Sequence, residues 1–370
     1  MNIRLIELFP LLYPLPKPYG DANGLKKHRS CLLFRLTTKS GLTGWGECVD
    51  WLPTIVKGFE DRIIPYLLGK SVADRQQLLR TVSQWHPRAA AGLSMAFSEI
   101  VAQHARISIT DLWGGRWRHR IPVYASFQSY SEESDWMNSS LRLVEQRLMQ
   151  GFSKAKVKIG GKTIREDQGH ISALQSQFSQ VLELALDANQ SYDAAAAGNW
   201  RALLQRWDNL MWLEELLPMH RQEQYRQIKS WLPLPCSGGE NLSAPEFIPL
   251  LGKGTIDILQ PDPMHQTSIQ EYVQLLFTAR QFGQRVSPHT FDGSLSRLYA
   301  LFAQACLPPW SKMTGEEIEP VEWDAMENPL TQLFPVPIQQ GEVVLPTGAG
   351  LGTAPDMERI RSLLWDGHTY

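Results

Sequence analysis

The sequence predicts an α/β fold: a (β/α)7β TIM-like barrel with an α+β capping domain built from the N-terminal region and the C-terminal tail. Three observations carry this. From about residue 118 to 327, short apolar strands alternate with helical patterns until eight strands are counted, which favours a closed parallel barrel over an open doubly wound sheet. Before residue 118 the order differs, with strands first and helices after them. After about residue 328 the alternation breaks, in a stretch holding Val343-Val-Leu345 and Gly348-Ala-Gly-Leu-Gly352, and this tail is expected to return to the N-terminal unit. The predicted domains are therefore 1–117 together with 328–370 as the cap, and 118–327 as the barrel.

Taken in order, residues 2–9 and 32–37 read as strands, and Ser40-Gly41 turns the second into a third at 42–47, an antiparallel hairpin. Between the first two strands, residues 13–27 are rich in Pro and Gly and read as a mobile lid loop. Helical spacing runs from about 55 to 107. The barrel strands are expected at 123–126, 154–159, 182–187, 210–214, 232–236, 256–259, 284–287 and 320–323. Helices are expected between them at 132–150, 164–178, 194–207, 221–231, 244–251, 269–282 and 293–304.

Composition narrows the function. Of 370 residues, 20% are charged and 43% hydrophobic, as in ordinary soluble enzymes. A net charge of −2 argues against nucleic acid or an anionic membrane as the main partner. Cys31, Cys48, Cys236 and Cys306 lie far apart, without zinc or Cys-x-x-Cys spacing, and read as buried thiols of a reducing compartment. No apolar run is long enough to span a membrane, and the N-terminus carries no signal-peptide pattern, so a cytoplasmic location is expected.

The most specific signal is a ladder of ionisable residues at strand ends: Lys158, Asp187, Glu214, Glu240, Asp262 and His289. Successive members are 22 to 29 residues apart, about one βα repeat. In a barrel, residues at the C-terminal strand ends converge on one mouth. Taken alone, the alternating lysines of Ser153-Lys-Ala-Lys-Val-Lys-Ile-Gly-Gly161 would be a charged edge strand; the ladder makes them an interior strand. Lys158 lies nearest the mouth and Lys156 one layer lower. Lys154, deeper still, is either a buried ion-pair partner or exposed. Asp187, Glu214 and Glu240 offer three hard oxygen ligands and no His or Cys, which favours one divalent cation, magnesium before manganese. Glu215 is expected behind Glu214, and Asn189 is placed to reach the site. Asp262 beside His289 would fix its tautomer and raise its basicity, as a general acid/base needs. Burial, Lys156 and the cation are expected to depress the Lys158 pKa toward that of a base, while Lys156 orients an anionic substrate group. Tyr19 in a polar lid (Lys17, Asp21, Asn23, Lys26) and Trp51 on a second loop are the expected substrate contacts.

Lys156-Val-Lys158, Asp187-Ala-Asn189, Leu213-Glu-Glu215, Gly239-Glu-Asn241, Pro261-Asp262 and Ser287-Pro-His-Thr290 together resemble the enolase superfamily, and within it the mandelate racemase subgroup. The resemblance covers nearly the whole chain. It implies that Lys158 and His289 are acid/base groups on opposite faces of a carboxylate substrate, that Asp262 orients His289, and that Lys156 helps bind the substrate carboxylate. A lysine on the sixth strand, as in the cycloisomerase branch, is replaced here by Asp262. The proline usual after the Glu-Glu pair is Leu216, and the eighth-strand glutamate is matched by Glu322 or Glu319. The resemblance also implies a homo-oligomer. The resulting expectation is a magnesium-dependent dehydratase of a sugar acid, working through an enediolate to a 2-keto-3-deoxy acid. Racemisation or epimerisation of a 2-hydroxy acid is the alternative, and a metal-binding barrel without turnover a third.

Overall fold

A computed structural model describes residues 1–232, 234–368 and 370. The N-terminal unit is an antiparallel sheet of β1 (Ile3–Asp21), β2 (Gly24–Thr38) and β3 (Thr43–Cys48), in that order. The helices Leu52–Gly58, Arg75–Ser83 and Pro87–Ala105 follow it. Gly44, Gly46 and Gly92 allow β3 and the last helix to touch: a Cβ on Gly46 would lie 2.3 Å from the Phe34 ring and 2.5 Å from the Gly92 carbonyl oxygen.

The expected mobile loop at 13–27 is instead the far half of a long hairpin. Prolines 14, 16 and 18 suggested a loop because they donate no N–H. Here they fall on an edge strand, where only alternate residues need pair, and the ladder slips between Pro14 and Tyr19 to accommodate them. The tip is docked on the barrel, with Gly20 and Tyr130 exchanging backbone hydrogen bonds of 2.9 and 3.1 Å.

Eight parallel strands follow: β4 (Arg120–Ser126), β5 (Lys154–Lys158), β6 (Glu183–Asp187), β7 (Leu210–Glu214), β8 (Cys236–Gly238), β9 (Ile258–Leu259), β10 (Arg285–Val286) and β11 (Val321–Asp324). Each pairs with the next from β4 to β10, and β11 pairs in parallel with β4. The Glu322 N–H donates to the Pro288 carbonyl at 3.2 Å, closing the ring beside β10. The strand expected at 232–236 begins later, at Cys236; Pro233 lies outside the described residues. The helix expected at 194–207 is two short ones, Ala194–Gly198 and Arg201–Leu204, with Asn199-Trp200 between them. Two further strands, β12 (Ile338–Gln339) and β13 (Glu342–Val344), lie antiparallel to each other, and β13 runs along the start of β4. The chain beyond them reaches the N-terminal unit, where the Ile109 N–H donates to Gly350 and the Trp365 N–H to Pro10.

One apolar core fills the space between barrel, outer helices and cap. A second, small cluster of Tyr124, Ala185, Trp212 and Ile258 plugs the barrel interior and forms a floor for whatever sits at the mouth. All four cysteines are buried free thiols. Among the described residues no helix is long and apolar enough to cross a membrane.

Candidate active site

The pleat of β5 puts Lys154, Lys156 and Lys158 on one side and Ala155 and Val157 on the other. Lys154 opens at the far end of the barrel, 2.6 Å from Glu183. Register then brings the mouth residues into one row, with Lys158 beside Asp187 and Asp187 beside Glu214. The turn after β5 needs its glycines: Gly160 has φ +87°, and a Cβ on Gly161 would lie 2.3 Å from the Tyr130 ring. Asp167 pins this turn by accepting from the Tyr130 hydroxyl at 2.6 Å and the Gly160 N–H at 2.7 Å.

Lys156 is fully buried, in ion pairs with Glu214, with Glu322 at 3.0 Å and with Asp187 at 3.2 Å. The other oxygen of Glu214 accepts from Gln260 at 2.6 Å and from the Trp212 indole at 3.2 Å. Lys158 donates to Asp187 at 2.5 Å. His289 lies with Nδ1 2.7 Å from Asp262, while its Nε2 is 3.2 Å from Glu240 and 3.4 Å from Glu322. Between the two candidate glutamates of the eighth strand, Glu322 is the one turned toward the mouth, paired with Lys156 and 3.4 Å from His289. Glu319 is bound to Arg280 at 2.8 Å and to the Val286 N–H at 2.9 Å.

Burial disfavours charge on His289, but Glu322, Glu240 and Asp262 outweigh it and raise the imidazole to about 10. Lys158 departs from expectation. Burial works against its ammonium, yet Asp187 more than compensates and holds it above the usual lysine range. The expected depression counted burial, Lys156 and a bound cation, and left out the ion pair with Asp187. Glu215 lies behind the row, accepting from the Gly239 N–H at 3.0 Å and from Gln190 at 2.8 Å, and burial pushes its carboxyl up to about 7.

The donors fit a hard divalent ion. One oxygen each of Asp187, Glu214 and Glu240 lie within 4.8 Å of one another. The whole cluster sets five carboxyl groups against two ammonium groups and one imidazole, and burial beside Asp187 raises the Glu214 carboxyl to about 8, a cost that a bound cation would relieve. Asp187 and Glu214 are fully buried and Glu240 is half-buried at the cavity, so the open side of the triad faces the mouth.

Above it lies a cavity of about 180 Å³, smaller than the roughly 300–1,000 Å³ of drug-sized ligand sites. Lys158, Asn189, Glu240, Asp262 and His289 reach its wall. Four expected substrate contacts do not. Lys156 and Glu322 are sealed in ion pairs one layer below. Tyr19 donates to the Glu327 carbonyl at 2.9 Å, because the hairpin runs on past it and Asp21 reaches the wall instead. Trp51 is 41% exposed and packs on the Tyr370 ring, since the chain turns outward after Val49. The sequence reading missed Arg88, Gln128, His265 and Asp292, all on the wall. Gln128, two residues beyond the end of β4, had a usable signal: it occupies the strand-end position that the ladder otherwise begins at Lys158.

A barrel mouth that combines an oxygen-only candidate cation site, a buried lysine and a carboxylate-backed histidine is the arrangement that metal-assisted acid/base chemistry requires. The chain matches the "Enolase C-terminal domain-like" family over residues 140–359 and the "Mandelate racemase / muconate lactonizing enzyme, N-terminal domain" over residues 8–114. It belongs to the enolase superfamily, in its mandelate racemase group. It is similar to the D-galactarolactone cycloisomerase of Agrobacterium fabrum, 27% identical over 95% of this chain and 96% of that one. It is also similar to the arabinonate dehydratase of Saccharolobus solfataricus, 25% identical with the same coverages. Among solved structures, a racemase from Streptomyces coelicolor with bound magnesium shares the fold at TM-score 0.84 and 19% identity, over 98% of this chain and all of the other.

Proposed function

We propose that this protein dehydrates a sugar acid in a magnesium-dependent reaction, removing the proton α to a carboxylate and expelling the β-hydroxyl to leave a 2-keto-3-deoxy acid. The observation that carries the reading is the pairing of Lys158 and His289 on one small wall with two buried, unpartnered acceptors, Gln128 Oε1 and Asn189 Oδ1. A buried carbonyl oxygen without a donor costs on the order of 1–3 kcal/mol, and a substrate hydroxyl is the donor that would relieve it. Two near-full-length relatives with names drawn from sugar-acid chemistry support the same class.

A magnesium ion held by Asp187, Glu214 and Glu240 would supply a Lewis acid for the substrate carboxylate and lower the cost of the enediolate charge. Lys158, freed from Asp187 and in its neutral amine form, takes the α-proton at Nζ and becomes the ammonium. Asp262 holds His289 by Nδ1, so Nε2 is the atom that delivers a proton to the departing hydroxyl, and Glu322 and Asp262 favour the imidazolium that carries it. Lys156 offsets the charge of Glu214 and Glu322 beneath the substrate.

A panel of aldonic and aldaric acids with magnesium, read for 2-keto acid and for solvent deuterium at the α-carbon, tests this. Keto acid formed by the wild type and lost in Lys158→Ala is the expected result. Deuterium exchange without keto acid would favour the racemase or epimerase reading. Neither signal across the panel would refute both.

A further inference from the structure

Among the described residues, the cations of the cavity wall are paired with carboxylates, with one exception. Lys26 is 3.3 Å from Asp292, Lys158 is 2.5 Å from Asp187, and His289 contacts three carboxylates. Arg88 has no carboxylate within 4.0 Å among the described residues. Its only protein hydrogen bond among them runs from one terminal nitrogen to the Val49 carbonyl, at 2.7 Å. That bond orients the guanidinium and leaves its other N–H groups free.

Arg88 is also poorly explained as a stabilising residue. It lies in the first turn of the Pro87–Ala105 helix, which has no acidic residue in that turn, although the positive end of the helix dipole favours carboxylates there. It comes from the cap, whereas the carboxylate triad comes from the barrel, and Arg88 and Glu240 both reach the cavity wall. His265 stands near it on the wall, lowered in pKa by burial and by Arg88, and so adds a neutral imidazole rather than a competing anion. Asp21 also lines the wall and has no ion-pair partner among the described residues. Beyond the Val49 bond nothing among the described residues offsets the placement of Arg88, and a local preference broken in that way marks a candidate functional position.

We propose that the substrate is a dicarboxylic sugar acid, and that Arg88 binds the carboxylate at the end remote from the triad. The inference rests on the sugar-acid reading above and adds the substrate class. A guanidinium presents two parallel N–H donors to a carboxylate, a fit that a hydroxyl cannot match. A cavity of about 180 Å³ suits a short acid better than a bulkier phosphorylated one.

Galactaric acid and galactonic acid differ only in whether the far end is a carboxylate or a hydroxymethyl group. Binding of each to the magnesium-loaded wild type, Arg88→Gln and Arg88→Lys is measured by calorimetry, alongside α-proton exchange. The wild type should prefer the diacid by roughly 10–100-fold, the worth of one charge-assisted pair. The diacid-to-monoacid ratio should collapse toward one in Arg88→Gln and recover in part in Arg88→Lys. Equal affinities in the wild type, or an unchanged ratio in Arg88→Gln, would overturn the assignment. Exchange on the monoacid with no diacid preference would sink the Arg88 clamp alone. Arg88-dependent diacid binding with no exchange on either acid would leave the clamp standing and sink the dehydration chemistry.

Discussion

The hairpin over the mouth is pinned by a buried cation, and removing it should be costly. Arg29 on β2 is 3% exposed; its guanidinium is 2.7 Å from Asp324 and 3.1 Å from Asp292, and donates to the Phe291 carbonyl at 3.0 Å. Arg29→Met keeps the apolar stem and removes the charge. Breaking a buried pair by deleting one partner costs about 3–5 kcal/mol, because the other charge stays desolvated. Asp324 retains hydrogen bonds from Asn328 at 2.8 Å and the Met326 N–H at 2.9 Å, which puts the expectation at the lower end, about 3 kcal/mol. Urea unfolding at fixed magnesium, followed by tryptophan fluorescence, measures it. The same change in an Asp324→Asn background should cost much less, since no stranded carboxylate remains there. A loss below about 1 kcal/mol, or equal losses in both backgrounds, would refute the pinning role. Phe291 and Asp292 belong to the cavity wall, so Arg29→Met should also raise KM.

Glu99 gives a pH test in the cap. It accepts from the Trp45 N–H at 2.8 Å and from Gln103 at 3.0 Å, and burial pushes its carboxyl from 4.5 up to about 8. The folded protein therefore holds a proton that the unfolded chain releases near 4.5, so the stability this group contributes is complete below that pH and is lost as pH rises through 8. Glu99→Gln should gain on the wild type by on the order of 2–4 kcal/mol between pH 5 and 9; parallel pH slopes in denaturant unfolding would contradict this. Magnesium at a hundredfold excess over its Kd should stabilise the wild type by about 2.7 kcal/mol. Glu240→Ala should lose most of that gain, and an undiminished shift would remove Glu240 from the ligand set.

Much of the fold and of the charged cluster was legible because a barrel converts spacing into position. A residue at each strand end, one βα repeat from the next, must arrive at one mouth, and Lys158, Asp187, Glu214, Glu240, Asp262 and His289 do. What spacing could not decide was depth and direction. Glu319 and Glu322 are three residues apart around one short strand, yet they face opposite ends of the barrel. Lys156 and Glu322 lie on the expected face but in ion pairs one layer below the cavity wall. The hairpin was hidden by its prolines, since a missing N–H reads the same in a loop as on an edge strand. Arg88, His265 and Asp292 were not legible, because the wall they share forms only when the cap closes on the barrel. No periodicity within either unit records that meeting.

The division of labour between Lys158 and His289 is tested most directly by α-proton exchange in deuterium oxide, with the substrate bound and magnesium present. His289→Asn should still wash deuterium into the α-position while forming no keto acid, because the base is intact and the acid is gone. Lys158→Ala should do neither, although it remains folded and metal-loaded. The opposite pattern, exchange retained in Lys158→Ala and lost in His289→Asn, would contradict the assignment of Lys158 as the base.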